Sequence, residues 1–472
     1  MTDSSIDERE RGLAKSLTRS QVVMMGLGGA IGTGLFLGSG IAIGYAGPAV
    51  ILSYAIAGFI AFVMVFSLSE MAVVHPTAGS IGVYAEAYLG RWAGFVVRYT
   101  YWMMQVVAIG GEAIAAGAYM TYWFPQVPVW LWSVSFAFTL LYVNARSVGV
   151  FGSFEYWFAL IKVATIVAFI VIGAAAILGI GFEPVGFRNL TGLPGGFMPH
   201  GFGGVWMAVI VGIFSFTGVE LIAVTASEVR DPRTVIPAAL RNMALRLLLF
   251  YVLALTVVVT FVPWMHSGAK VVVESPFVRV LAYAGLPWAA GIMNFVVLTA
   301  ALSSMNVNIY LSSRMLFSLS RGRYAPEFLG RLSATQTPLA ATLVSGAAIL
   351  CVAAVAKLTP LAYNYLFGIA LFGAIVVWIV VLASHLGFRR QHDAAALPIR
   401  MPFFPWLQLA GIALLLAVLI TMGLDRDWRI SWIVGVPWLV ATSAAYLLWK
   451  ARASRVPVRV AASGTTDAER QP

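Results

Sequence analysis

Ala30-Ile31-Gly32-Thr33-Gly34-Leu35-Phe36-Leu37-Gly38-Ser39-Gly40 lies inside the first long apolar stretch of the chain, about residues 21–45. Gly32, Gly34, Gly38 and Gly40 make it a poor continuous helix, since each glycine costs about 1 kcal/mol relative to alanine. Within a bilayer such a weak point is tolerated only where protein or a cavity receives the freed backbone groups. A helix broken there presents carbonyls at the end of one half and amides at the start of the other. Amides suit a carboxylate and carbonyls suit an ammonium. The stretch therefore predicts a zwitterion site in the middle of a membrane. The spacings Gly28-x-x-x-Gly32, Gly34-x-x-x-Gly38 and Gly40-x-x-x-Gly44 also fit plain helix packing. A dinucleotide fingerprint is excluded, because no strand precedes the glycines and their spacing differs.

Around this stretch, 60% of the 472 residues are hydrophobic and 10% charged, where a soluble domain is about 25% charged. Apolar runs of spanning length fall near 21–45, 48–74, 95–123, 127–144, 155–180, 204–226, 243–265, 286–318, 338–356, 361–386, 404–423 and 430–449. The expected fold is an all-α polytopic membrane protein of about 12 transmembrane helices. The net charge of +11 does not indicate nucleic acid. With the N-terminus inside, Arg91, Arg98, Arg146, Arg233, Arg314, Arg321, Arg389, Lys450 and most other basic residues fall on the inner side. Arg188, Lys270, Arg279, Lys357, Arg426 and Arg429 fall outside, a roughly fourfold bias in the sense of the positive-inside rule. Both termini are then cytoplasmic, as tails over 1–20 and 451–472 flanking a transmembrane unit over 21–450, in a cytoplasmic (inner) membrane. The tail from about Ala453 is polar and expected to lack regular structure. Cys351 is the single cysteine and is expected to pack in the core.

A second weak point is Val211-Gly212-Ile213-Phe214-Ser215-Phe216-Thr217-Gly218-Val219-Glu220, in the sixth run. Both weak points carry a Thr-Gly pair, Thr33-Gly34 and Thr217-Gly218. Five spans separate them, and an odd offset inverts the direction of travel. That layout predicts two inverted five-helix repeats, about 20–180 and 204–386, with broken helices 1 and 6 and an appended C-terminal pair at 404–450.

Ionisable residues inside a membrane are functional hypotheses by default. Lys162 sits well inside the fifth span, where the functional reading is a desolvated amine that gains and loses a proton; snorkelling is the alternative. Glu112 and Glu220 are intramembrane acids, each either functional or part of a structural hydrogen bond or ion pair. Glu228 is placed at the inner membrane surface in a loop or cap role, and Glu70 in an interfacial structural role. Ser303, Ser304, Asn306 and Asn308 form a polar cluster in the eighth span, suited to gluing helices or to ligand contact. Phe214, Phe216 and Phe367 are candidates to close over a substrate, with plain packing as the alternative. No nucleophile–base pair, catalytic carboxylate pair or metal cluster emerges, so neither an enzyme nor a cofactor is indicated. No feature sets an oligomeric state.

The motifs together resemble bacterial amino-acid permeases of the amino acid–polyamine–organocation superfamily. They are Leu17-Thr18 leading into Gly26–Gly40, Ala46-Gly47-Pro48 with Ser69-Glu70-Met71 and Pro76, and the segment from Phe154 to Lys162. Further on come Phe216-Thr217-Gly218-Val219-Glu220-Leu221 with Glu228 and Asp231-Pro232, and Ser313-Arg314-Met315-Leu316 with Ala325-Pro326. The resemblance implies a substrate carboxylate on the amides around Gly32, Thr33 and Gly34. It implies a substrate amine on carbonyls around Ile31, Phe214, Ser215 and Thr217. It also implies proton coupling, with Lys162 matching a lysine that replaces a sodium site and Glu220 matching an acid near the substrate or proton path. The expected partners are an amino acid, a neutral one favoured, the proton and the lipid bilayer. Exchange without proton coupling, and ligand sensing without transport, are the alternatives.

Overall fold

A computed structural model describes residues 12–180, 184–229, 231–267, 275–283, 287–353, 359, 361–393 and 397–453. The tails beyond these limits, Arg230, Lys270 and Lys357 lie outside the described residues. The first pass is α1 (Arg19–Ala30), a π-helical turn (Gly34–Gly38) and α2 (Ser39–Ala46). After Gly47-Pro48 follow α3 (Val50–Val74), the short α4 (Ser80–Tyr88), α5 (Arg91–Met120), α6 (Val129–Arg146) and α7 (Val148–Leu178). A short α8 (Arg188–Thr191) lies between passes, in the loop over 182–203. The sixth pass is α9 (Gly201–Ser215), a turn, and α10 (Leu221–Val224). Then come α11 (Pro232–Phe261), α12 (Trp264–Ser267), α13 (Pro276–Tyr283) and α14 (Pro287–Arg321). The chain ends with α15 (Leu339–Ala353), α16 (Ala362–Gln391), α17 (Trp406–Leu424) and α18 (Arg429–Ala453). Among the described residues eight helical stretches are long and apolar enough to cross a membrane and Gly201–Ser215 and Leu339–Val352 are shorter apolar helices, an all-α polytopic arrangement, and the only β pairing is one bridge, Leu17 with Val229. Both weak points are real interruptions.

Local chemistry sets the helix ends. Thr18 accepts from the Gln21 amide at 3.3 Å while Gln21 Oε1 accepts from the Thr18 amide at 3.0 Å, a reciprocal cap that starts α1. Ser147 caps α7 by accepting from the Val150 amide at 3.3 Å. Pro232 opens α11, where its missing N–H would have been an orphan anyway. Large apolar side chains such as Phe138, Val171, Leu424 and Val440 point outward, as expected of a surface solvated by lipid rather than water. The apolar stretch of α5 is 83% buried, whereas those of α17 and α18 are 28% and 22% buried. The last two helices are thus peripheral, and α5 packs between α14 and α16 at the centre.

Several expectations change. Cys351 is exposed on α15 rather than packed in the core, because lipid solvates an outward apolar face. Glu228 is fully buried in a 3-10 turn (Thr225–Glu228), not at the surface; Arg314 Nε donates to it at 2.9 Å and Tyr310 Oη at 2.7 Å. Arg98 and Arg314 are buried within helices rather than in loops, each held by an acid, Glu86 or Glu228. Such acids compensate the desolvation of the cation. Glu70 is structural, accepting from Arg389 at 2.7 Å and from the Met401 amide at 2.8 Å. Helix α11 starts eleven residues ahead of its apolar run at 243, because its first turns carry Arg233 and Arg241.

Candidate site at the two interrupted helices

The end of α1 turns at Ile31, whose φ of −80° and ψ of 88° leave the helix. Among the described residues no backbone carbonyl is bonded to the amide of Gly32, which precedes those of Thr33 and Gly34. Those three amides form the start of the second half-helix, the position at which anions bind. The glycines let other elements close in. A Cβ at Gly32 would stand 2.9 Å from Ser304 Oγ, and one at Gly34 would stand 2.7 Å from Ser215 Cα. The Gly34 contact is with backbone, so a side chain there would force the two interrupted helices apart.

The carbonyl end of α1 is held by side chains from far along the chain. Lys162 Nζ donates to Gly28 O, to Ile31 O at 3.0 Å and to Ser303 Oγ at 2.7 Å. An ammonium at a helix C-terminus is favoured by the helix dipole. Ser303 in turn donates to Glu155 Oε1, which lies 3.9 Å from Lys162. Asn306 donates to the other Glu155 oxygen at 3.4 Å and accepts from Asn144 at 2.8 Å. Tyr251 Oη lies 2.7 Å from Ala30 O and 2.8 Å from Ser215 O, so one hydroxyl links the two interruptions. Ser304 points the other way, donating to Glu112, which also accepts from Asn308 at 3.2 Å. The Glu112 carboxylate comes within 3.8 Å of the Cβ position of Gly32, bordering the Gly32 amide.

The second interruption is capped by its own residues. Thr217 donates to Phe214 O through its amide at 3.0 Å and its hydroxyl at 2.7 Å. Gly218 takes φ = +97°, a conformation open to glycine, and its amide donates to Glu220 Oε2 at 3.0 Å. A Cβ on Gly218 would collide with the Gly29 carbonyl, so the two breaks touch through glycine.

Phe214 and Phe367 pack in a tilted pair with centroids 4.0 Å apart. Phe367 also lines a cavity of about 650 Å³ with Tyr45, Trp264, Asn364, Tyr365 and Trp428, open on the side where the first pass ends. Phe216 does not join this pair; it packs on Tyr251 at 4.7 Å and Tyr54 at 6.5 Å, against the opposite wall. The carbonyls of Ile31 and Ser215 each accept one bond, leaving a second lone pair on each, whereas Phe214 O is already filled by the amide and hydroxyl of Thr217. Buried and without a partner at hydrogen-bond distance are Thr33 Oγ1, Tyr101 Oη, Gln105 Nε2, Glu220 Oε1, Tyr363 Oη and Trp378 Nε1.

Sequence reasoning passed over Glu155, Tyr251, Tyr101, Gln105, Tyr363 and Trp378. A signal existed for Glu155, which precedes Lys162 by seven residues, two helical turns on the same face. Tyr251 lies in an uninterrupted apolar run, and only the crossing of α11 over both breaks gives it a role.

Residues 21–456 match the family model described as amino acid permease. The chain is 40% identical over 431 residues to the gamma-aminobutyric acid permease of Bacillus subtilis (strain 168), covering 90% of this chain and 91% of that one. It is 38% identical over 448 residues to the amino acid permease YtnA of the same organism, covering 93% and 96%. Against the aromatic amino acid transport protein AroP of Salmonella typhimurium (strain SL1344) the identity is 37% over 449 residues, covering 94% and 97%.

Proposed function

Because this chain belongs to the amino acid permease family, we propose that it imports an amino acid across the cytoplasmic membrane as a proton-driven secondary carrier. The observation that carries this reading is the helix start at Gly32, Thr33 and Gly34, with no backbone partner for the Gly32 amide, beside a carbonyl end that an ammonium, Lys162, already holds. The substrate carboxylate sits on the amides of that start. Its amine takes free lone pairs on the carbonyls of Ile31, Ser215 and Thr217, and Phe214 O, already bonded twice by Thr217, serves only the turn. Phe214 and Phe367 close over the bound molecule from the cavity side. Ser303 and Ser304 are accessory, fixing Lys162 and Glu112 respectively.

Loss of the Lys162 proton would release the α1 carbonyls and let α1 move against α7. That is the coupling step, with Glu112 and Glu220 as the further acids on the proton path. The repeats over about 20–180 and 204–386 rock against each other around the fixed site, with both termini cytoplasmic. Protonation supplies direction only by changing the relative stability of the two facing states.

The test is uptake into vesicles holding the purified protein, with and without an imposed pH gradient. Accumulation of a labelled amino acid that follows the gradient supports the reading. Uptake only into vesicles preloaded with substrate makes the protein an exchanger, and binding without uptake makes it a sensor.

A further inference from the structure

Glu112 borders the first interruption without a cation of its own. It is buried on α5, where the Ser304 hydroxyl donates to one carboxyl oxygen and the Asn308 amide donates to the other at 3.2 Å. Among the described residues the buried cations are held by other acids: Arg98 by Glu86, Arg314 by Glu228 and Lys162 by Glu155. Glu112 faces Lys162 and Glu155 from α7 and Tyr363 from α16, while α14 meets it with the neutral Ser304 and Asn308.

This acid stands where the carrier's anion subsite begins. Glu112 Oε1 lies 3.8 Å, and the Ser304 hydroxyl bonded to it 2.9 Å, from the Cβ position of Gly32. On the other side, the Cβ position of Gly111 lies 4.0 Å from the Tyr363 ring, and that ring lies 5.8 Å from Phe367 at the wall of the outer cavity. A carboxylate seated on the Gly32 amide is therefore a direct neighbour of the Glu112 carboxyl. Two carboxylates side by side away from water repel strongly and do not both stay ionised. One proton between them replaces the repulsion with a charge-assisted O–H···O bond. Ser304 and Asn308 still find a lone pair on the protonated acid. The opposite use of Glu112, as an anion for the substrate ammonium, would set that ammonium against a helix start, which favours negative charge.

We propose that Glu112 loads the coupled proton: it admits the substrate carboxylate to Gly32 only when protonated, so one proton and one amino acid bind as a unit. A Glu112 oxygen takes the proton from the solvent side, and the resulting O–H donates to the substrate carboxylate. No other bond forms or breaks. Lys162 then governs the movement of α1, and Glu112 sets the stoichiometry. This rests on the reading of the chain as an amino acid carrier with its anion subsite at Gly32.

The experiment first screens the standard amino acids for thermal stabilisation of the purified protein. Equilibrium dialysis then gives Kd for the tightest binder from about pH 5 to about pH 9, a span that brackets a carboxyl in water and one away from it. For the native chain Kd is expected to rise with pH, approaching about tenfold per pH unit, the slope for one linked proton. Glu112→Gln, a neutral mimic of the protonated acid, is expected to remove the slope, leaving Kd within about twofold across the range. Glu112→Asp is expected to keep it. Both variants retain Lys162, Glu155 and Glu220, so the slope is assigned to Glu112 alone. A purely structural Glu112 would weaken binding in the variants without altering the slope. A flat native profile, or a native slope in Glu112→Gln, would overturn the proposal. If Glu112→Gln does not fold, an indicator dye reads proton uptake by the native chain on that slope: about one proton per amino acid bound supports it and none overturns it. Failure of every amino acid to bind would sink the carrier reading instead.

Discussion

The two interrupted passes solve the same backbone problem in opposite ways. At the second, the chain caps itself: Thr217 returns to Phe214 O, and Glu220 reaches the Gly218 amide two residues back. At the first, Thr33 makes no such cap, and the carbonyls go to Lys162 and Tyr251, from α7 and α11. Among the described residues the Gly32 amide there has no backbone partner. A self-capped break is a stiff joint. A break capped from elsewhere is free at its amide side for a ligand, and depends at its carbonyl side on helices that can move. In the proposed carrier, the difference would put the substrate carboxylate and the coupling step at the first interruption, with the second as the wall it works against.

That contrast predicts unequal effects of substitution. The largest belongs to Lys162→Ala. It removes the donor to Gly28 O, Ile31 O and Ser303 and leaves Glu155 buried without its cation. Breaking a buried pair costs about 3–5 kcal/mol. Uptake against a gradient should fall to background, while exchange between labelled and unlabelled substrate persists. Intact accumulation in response to an acid-outside gradient would remove Lys162 from coupling. Next is Gly34→Val, whose added carbons would meet the Ser215 backbone from 2.7 Å. Substrate binding, read by equilibrium dialysis, should weaken at least about tenfold, since displaced amides cannot converge on a carboxylate. Normal affinity would leave Gly34 with a packing role alone.

Two smaller effects sharpen the comparison. Tyr251→Phe deprives both Ala30 O and Ser215 O of their shared hydroxyl, so buried carbonyls are left short by about 1–3 kcal/mol. Its melting temperature should drop and its substrate affinity fall together. Thr217→Val removes one of two bonds to Phe214 O, and the backbone amide keeps the other. Its cost should stay near about 1 kcal/mol, with affinity little changed. A Thr217→Val variant as damaging as Tyr251→Phe would mean that the second break is no more self-sufficient than the first.

Composition and periodicity alone determined the all-α membrane class and the two interruptions. Burying apolar length in lipid and leaving glycine where a helix must fail are local requirements, visible residue by residue. The same locality made Lys162 and Glu112 stand out, since a charge amid apolar neighbours needs a reason. Which charge meets which partner is not local. Glu155 answers Lys162 through Ser303, Tyr251 joins two breaks that lie 185 residues apart in the chain (Ala30 and Ser215), and Phe216 turns from the pocket that Phe214 enters. Those choices depend on the angles at which α5, α7, α11, α14 and α16 cross, and a one-dimensional pattern carries no crossing angle.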